Sequence, residues 1–291
     1  MKHWKNNLML TATAMIWGCG FVAQSVSMDS LGPWTFNCIR FFMAGCTIFA
    51  MIPAVQKISG VSAPAGIPWK AGLCCGLFLG AASICQQFGV MTTSVGKSGF
   101  ITALYVVLVP VLSSFLGKRI RPMVWLSVAI AVTGLYFLSV KGSLQFETGD
   151  LWLIACAFLF AVHIMVIDHF TPHVSGVRMS CLQFFVAALF CLGPMLAWES
   201  PSLAGVQAAI VPLLYSGICS CGIAYTLQIV GQKGADPTVA SMLLSLESVF
   251  AAIAGFLLLH QQLSLRELLG GALMFLAIIL SQLPERSPAA R

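Results

Sequence analysis

Glu247 lies near the middle of a long apolar run. If that run crosses a membrane, an ionised side chain there costs about 2.5–3.5 kcal/mol on insertion scales. Three roles are open to it: a proton-coupling carboxylate, the partner of a ligand ammonium, or a structural partner of Arg40. Arg40 sits in a shorter apolar window, where a structural, snorkelling or interhelical role suits it. His163 stands well inside a third run, either hydrogen-bonded in the packing or lining a pathway as a protonatable group.

Neutral polar residues recur on single helical faces. Ser98, Thr102 and Tyr105 follow at i, i+4 and i+7, and Ser241, Ser245 and Ser248 repeat that spacing. Cys221, Tyr225, Gln228 and Gln232 share another face, Trp17, Gly20, Phe21 and Gln24 a third, and Gln86 adjoins Gln87. In an apolar solvent such stripes either bond helix to helix or line a wet path. An aromatic face carrying an amide suits an amphipathic ligand. Gly72, Gly76 and Gly80 have the small-xxx-small spacing of close helix packing. The candidate substrate-binding set is therefore Trp17, Gln24, Gln87, Ser98, Thr102, Tyr105, His163, Tyr225, Gln228 and Glu247.

Other chemistries lack their residues. There is no GxSxG, no HExxH and no pair of carboxylates within the apolar runs, so an intramembrane enzyme has no nucleophile, base or metal ligands to use. His169 and His173 are four apart, but Pro172 breaks the helix between them, and no metal site is expected. Val95-Gly96-Lys97-Ser98 is not a phosphate loop, because the leading glycine would fall on Met91; Lys97 suits a cavity mouth or snorkelling to the interface. The 11 cysteines lie in apolar runs without CxxC spacing and read as small packing residues. Rings of like charge or filter loops, the marks of a channel, are not visible. No cofactor and no nucleic-acid partner is expected.

The elements that must position these residues follow from composition. Hydrophobic residues make up 59% of the 291-residue chain and charged residues only 8%, with a mean hydropathy of +0.94. A soluble domain carries about 25% charged residues. The chain is thus an all-α integral membrane protein. Spans of about 20 apolar residues are expected at 8–27, 33–55, 68–90, 96–116, 122–140, 150–169, 176–197, 206–230, 237–259 and 265–283. Lys2 and Lys5 before Leu8 imitate a signal peptide, but nine further runs make this the first span.

Basic residues orient the spans. With the N-terminus in the cytoplasm, that side holds Lys2, Lys5, Lys57, Lys70, Lys118, Arg119, Arg121, Arg178, Lys233, Arg286 and Arg291, against Lys97, Lys141 and Arg266 opposite. Both termini are then cytoplasmic. A shift of 143 residues lays Cys38–Ala44 on Cys181–Ala187, with Arg40 over Gln183, and Lys118-Arg119 on Gln261-Gln262; a shift of 142 pairs Gly80 with Gly222 and Gln86 with Gln228. Five spans per repeat force the second half to enter from the opposite side. The expectation is ten transmembrane helices as two inverted five-helix repeats, 1–140 and 150–283, with a short cytoplasmic tail at 284–291.

Trp17-Gly18-Cys19-Gly20-Phe21, Arg40-Phe41-Phe42-Met43-Ala44, Leu246-Glu247-Ser248-Val249-Phe250 and the five-plus-five repeat together resemble an EamA-type member of the drug/metabolite transporter superfamily, over nearly the whole chain. The resemblance implies a central cavity between the halves, lined mainly by spans one, three, four, six, eight and nine, and export of amino acids, related metabolites or drugs, with nucleotide-sugar carriers as distant relatives. Two departures stand out: Ser248 where many members have proline, expected to straighten span nine, and Gln183 where the first half has Arg40. The expected function is a plasma-membrane secondary transporter moving a small amphipathic metabolite by alternating access. The partners are that substrate, the lipid bilayer and protons as a candidate coupling ion. The oligomeric state is left open.

Overall fold

The computed structural model describes residues 4–59, 67–93, 95–139, 147–259 and 264–283. The connections through 60–66 and 140–146, Gln261-Gln262, the 284–291 tail, and Lys2, Lys141, Arg286 and Arg291 lie outside these residues. All regular structure among the described residues is helical: α1 (Trp4–Ser27), α2 (Pro33–Ser59), α3 (Trp69–Thr92), α4 (Val95–Ala103), α5 (Tyr105–Phe115), α6 (Pro122–Ser139), α7 (Thr148–Phe170), α8 (Gly176–Trp198), α9 (Leu203–Ala208), α10 (Ile210–Leu214), a π-helical segment (Tyr215–Tyr225), α11 (Thr226–Gln232), α12 (Pro237–Leu244), α13 (Glu247–Leu259) and α14 (Leu265–Ser281).

Lipid offers no partner for backbone N–H and C=O groups, so apolar runs of this length wind into helices that satisfy themselves. Among the described residues, eight stretches are long and apolar enough to cross a membrane. The expected fifth span supplies only the shorter apolar helix Pro122–Phe137. The expected tenth, α14, has 17 residues and starts with Arg266 and Glu267. The molecule is an all-α, multi-span membrane protein. Its outward faces carry exposed Phe49, Leu189, Leu196 and Val211, with Trp4, Trp69 and Trp198 exposed at helix ends, where indole rings favour the headgroup level.

Three expected spans are not continuous helices. Span four divides at Leu104 into α4 and α5, and span nine divides at Ser245–Leu246 into α12 and α13. Span eight is a succession of α10, the π-helical segment and α11. The absence of proline at Ser248 therefore does not straighten span nine. Instead the hydroxyls of Ser241 and Ser245 donate back to the carbonyls of Thr238 and Met242, both at 2.8 Å, a local bond that competes with the helical ladder.

Two of the most extensive contacts are between helices that the 143-residue shift relates. α2 and α8 run antiparallel: Phe41 packs on Phe184 (ring centroids 5.8 Å) and Phe42 on Phe185 (6.0 Å). The Cys38 thiol donates to the Ala188 carbonyl, and the Cys181 thiol to the Gly45 carbonyl, each at 3.5 Å. α6 and α14 are also antiparallel. Arg121 donates to the carbonyls of Ser281 and Leu283 at one end, both at 2.9 Å. At the other, Arg266 covers the rings of Tyr136 (5.1 Å) and Phe137 (5.6 Å).

The glycine stripe of α3 lies against α8. A Cβ at Gly76 would stand 2.6 Å from the Gln183 carbonyl oxygen, and one at Gly80 2.9 Å from the Phe190 ring. Gly18 does the same for α1 and α13, where a Cβ would meet the Ala251 nitrogen at 2.7 Å.

The helix ends are tied by side chains. Glu199 accepts from the Trp34 (2.9 Å) and Thr35 (2.7 Å) amides at the start of α2. Asp236 caps α12, accepting from Thr238 at 2.8 Å, and Ser264 with Glu267 forms a capping box on α14. At the start of α7, Asp150 holds Lys97 at 2.7 Å, with Glu147 3.7 Å from the same ammonium. Lys97 is thus engaged in an ion pair that ties the start of α4 to the start of α7. At the sequence-related end, Asn6 donates to the Gly231 and Lys233 carbonyls, both at 2.8 Å.

Candidate functional site

The two helix breaks bring their next residues together. Tyr105 is the first residue of α5 and Glu247 the first of α13. The Tyr105 hydroxyl donates to Glu247 Oε1 at 3.2 Å, and both side chains are buried. The two residues are 142 positions apart; the 143-residue shift of these two spans pairs Tyr105 with Ser248 and Glu247 with Leu104.

Around this pair lies a narrow cavity of about 30 Å³, partly open to the surroundings. It draws on both halves of the chain. Trp17, Phe21 and Gln24 come from α1, Arg40 from α2, Gln86 from α3, and Thr102 and Tyr105 from α4 and α5. From the second half come Phe160 and Ile164 of α7, Ser220 and Tyr225 of the π-helical segment, and Gln228, Leu244 and Glu247.

The wall is fixed by bonds between α1 and the π-helical segment. Thr13 donates to the Ala224 carbonyl (3.0 Å), Trp17 Nε1 to that of Ser220 (3.1 Å), and the Tyr215 hydroxyl to that of Ile16 (2.6 Å). The Trp17 and Tyr225 rings then pack at 4.5 Å between centroids, with Phe184 against Tyr225 at 5.6 Å. The result is an aromatic floor beside the carboxylate. Two buried oxygens of wall residues have no protein partner among the described residues: Gln24 Oε1 and Gln228 Oε1. Buried polar atoms are seldom left unpaired, so these are acceptors available to a bound molecule.

Of the ten candidate residues, seven line the cavity: Trp17, Gln24, Thr102, Tyr105, Tyr225, Gln228 and Glu247. The other three lie off its wall. Gln87 donates to the Gln24 carbonyl at 3.3 Å, and its neighbour Gln86 faces the cavity instead. His163 Nε2 and Gln183 Oε1 are 3.1 Å apart, so the histidine is held in the packing between α7 and α8. Ser98 is fully buried without lining the space.

Glu247 and Arg40 do not pair. Arg40 bonds to Asn37 and lies on the wall, a position its apolar sequence window did not disclose. Ser220 was missed because the π winding changes which residues share a face. Among the described residues, no group of three or more His, Cys, Asp or Glu could hold a metal ion.

The fold is that of a multi-span membrane protein with a cavity drawn from both halves of the chain. The EamA-like transporter family model matches the chain twice, over residues 4–140 and 147–283, and the chain belongs to that family, within the drug/metabolite transporter superfamily. It is 31% identical to an uncharacterized transporter of Archaeoglobus fulgidus, over 97% of this chain and 87% of the relative. It is 22% identical to the uncharacterized transporter YoaV of Bacillus subtilis, over 94% and 95%, and 25% identical to the chloroplastic WAT1-related protein At3g02690 of Arabidopsis thaliana, over 95% and 69%. A solved crystal structure superposes with a TM-score of 0.79 at 19% identity, covering 95% of this chain and 96% of the other, a likeness of fold.

Proposed function

We propose that the chain is a secondary transporter that exports a small amphipathic metabolite, such as an amino acid or a related compound, across the plasma membrane by alternating access. The observation that carries this reading is the cavity shared by both halves, where the first residues of two half-helices, Tyr105 and Glu247, meet. Discontinuous helices around a midplane site are the usual construction of secondary carriers.

Ten helices in two inverted repeats, 1–140 and 150–283, with both termini and the 284–291 tail in the cytoplasm, complete the reading. It is supported by the excess of basic residues on one side and by the antiparallel course of α2 along α8 and of α6 along α14. Trp17, Tyr225, Gln24, Thr102 and Gln228 would hold the cargo, with Glu247 as its ammonium partner or as the proton carrier. Opening the cavity on one side separates α3 and α4 from α7 and breaks the Lys97–Asp150 pair. Opening it on the other separates α11 from α1 and breaks the Asn6 bonds.

The test is counterflow in proteoliposomes: unlabelled cargo inside should drive saturable accumulation of the labelled compound. A protein that accumulates no member of a broad metabolite and drug panel, with or without a proton gradient, is not this carrier. Flux that never saturates marks a channel.

A further inference from the structure

Arg40 is 4% exposed, yet among the described residues none of its partners is an anion. Its Nε and Nη2 both donate to Asn37 Oδ1, at 3.0 and 2.7 Å, and the guanidinium lies 5.0 Å from the Phe36 ring and 4.9 Å from that of Phe41. Asn37 is itself oriented by a 2.8 Å bond to the Pro33 carbonyl. Glu199, docked on the start of the same helix, is committed to the Trp34 and Thr35 amides. Among the described residues no carboxylate forms an ion pair with this buried cation.

Helix packing does not require the charge. The 143-residue shift places the neutral Gln183 on the matching turn of α8, and the α2–α8 seam is the same from either side, with Cys38 and Cys181 each bonded to the opposite helix. The positive charge is an addition to one half, and it lies on the cavity wall. Glu247 is the matching addition to the other half, since the 143-residue shift places the apolar Leu104 at its position in the first half.

We propose that Arg40 is the carboxylate anchor of the cavity, so that the cargo is a small zwitterion whose acid end meets Arg40 and whose amine end faces Glu247. This rests on the cavity being the cargo site. Asn37 occupies the Nε side of the guanidinium and leaves the Nη1–Nη2 edge, whose paired N–H groups match the two oxygens of a carboxylate. The rings of Trp17, Phe160 and Tyr225 line the same cavity.

Four probes with one apolar body separate the charges: phenylalanine, its methyl ester, phenethylamine and 3-phenylpropionate. Binding to the purified full-length protein is read by thermal stabilisation and by titration. Wild type should bind phenylalanine about tenfold or more tighter than the ester or phenethylamine, the worth of a charge-assisted bond. In Arg40→Gln that ratio should fall to about one, and Arg40→Lys should restore part of it. Asn37→Asp, which keeps the arginine but gives it an internal carboxylate, should lower the ratio too, and it covers the case in which Arg40→Gln fails to fold. A wild type that binds the ester as tightly as phenylalanine, or binds none of the four, overturns the anchor, as does an Arg40→Gln or Asn37→Asp protein that keeps the full ratio. Saturable counterflow of some other cargo in that event leaves the carrier standing, whereas no counterflow at all removes both.

Discussion

The hydroxyl of Tyr105 bonds to the carboxylate of Glu247 across the centre of the molecule, and each residue opens the second half of a broken helix. Alternating access requires the two halves to move against each other, so this bond sits where the movement converges. Tyr105→Phe removes the hydrogen bond that Glu247 accepts from the Tyr105 hydroxyl. A bond to a charged group contributes about 1.5–3 kcal/mol, so a fall in transport of tenfold or more is expected in proteoliposomes, with the protein still monodisperse.

Glu247→Gln keeps the shape and removes the titration. If the carboxylate carries the coupling proton, wild-type uptake varies with pH and with an imposed proton gradient, while the variant shows neither dependence and retains only exchange. Equal pH profiles for the two proteins remove the proton from the mechanism.

Tyr225 and Gln228 face the cavity from consecutive turns. Tyr225→Phe and Gln228→Ala should alter the order of preference among competing substrates by several-fold while leaving the melting temperature near that of wild type. Loss of folded protein in both would show that these side chains hold the helices together.

Gly18 allows α1 to lie against α13, with no room for a Cβ beside the Ala251 nitrogen. Gly18→Val should destabilise the protein by about 1–3 kcal/mol or more through overpacking, measured as a lower melting temperature in detergent. Gly193, where a Cβ would meet nothing within 4 Å, is the control: Gly193→Ala should melt with wild type.

Lys97 and Asp150 form a largely buried pair between the halves, with side-chain exposures of 15% and 4%. Removing one member strands the other, at about 3–5 kcal/mol for a buried pair. Asp150→Asn or Lys97→Gln alone should lower the melting temperature more than the two together, and a double-mutant cycle measures the coupling. Strict additivity would mean that the two residues do not hold this end closed.

Hydropathy alone exposed the membrane class, because apolar runs bounded by Pro, Gly and charge have few alternatives in lipid. The helical face of Tyr225 and Gln228 was also legible, since Tyr225 is the last residue of the π-helical segment and Gln228 follows it in α11. The breaks at Leu104 and Ser245 were not. They arise without a proline at the break itself, and in span nine from serine hydroxyls whose direction is set by rotamers. Gln86 and Gln87 show the limit of resolution within a helix: adjacent positions stand roughly 100° apart, and sequence does not say which one meets the cavity. His163 found a partner in Gln183, the residue that stands for Arg40 in the second half, so a side chain that looked available is already occupied.

The eleven residues from Tyr215 to Tyr225 wind more loosely than the helices that flank them. A π turn takes up more residues than an α turn over the same rise, so the segment stores angular slack. Rewinding it toward α geometry would turn everything downstream about the helix axis, by roughly 100° for each residue of register regained. Tyr225 and Gln228 would leave the wall together, and Trp17 would lose the carbonyl that holds it. A change in pitch there would exchange the polar lining of the cavity for another side of the same helix.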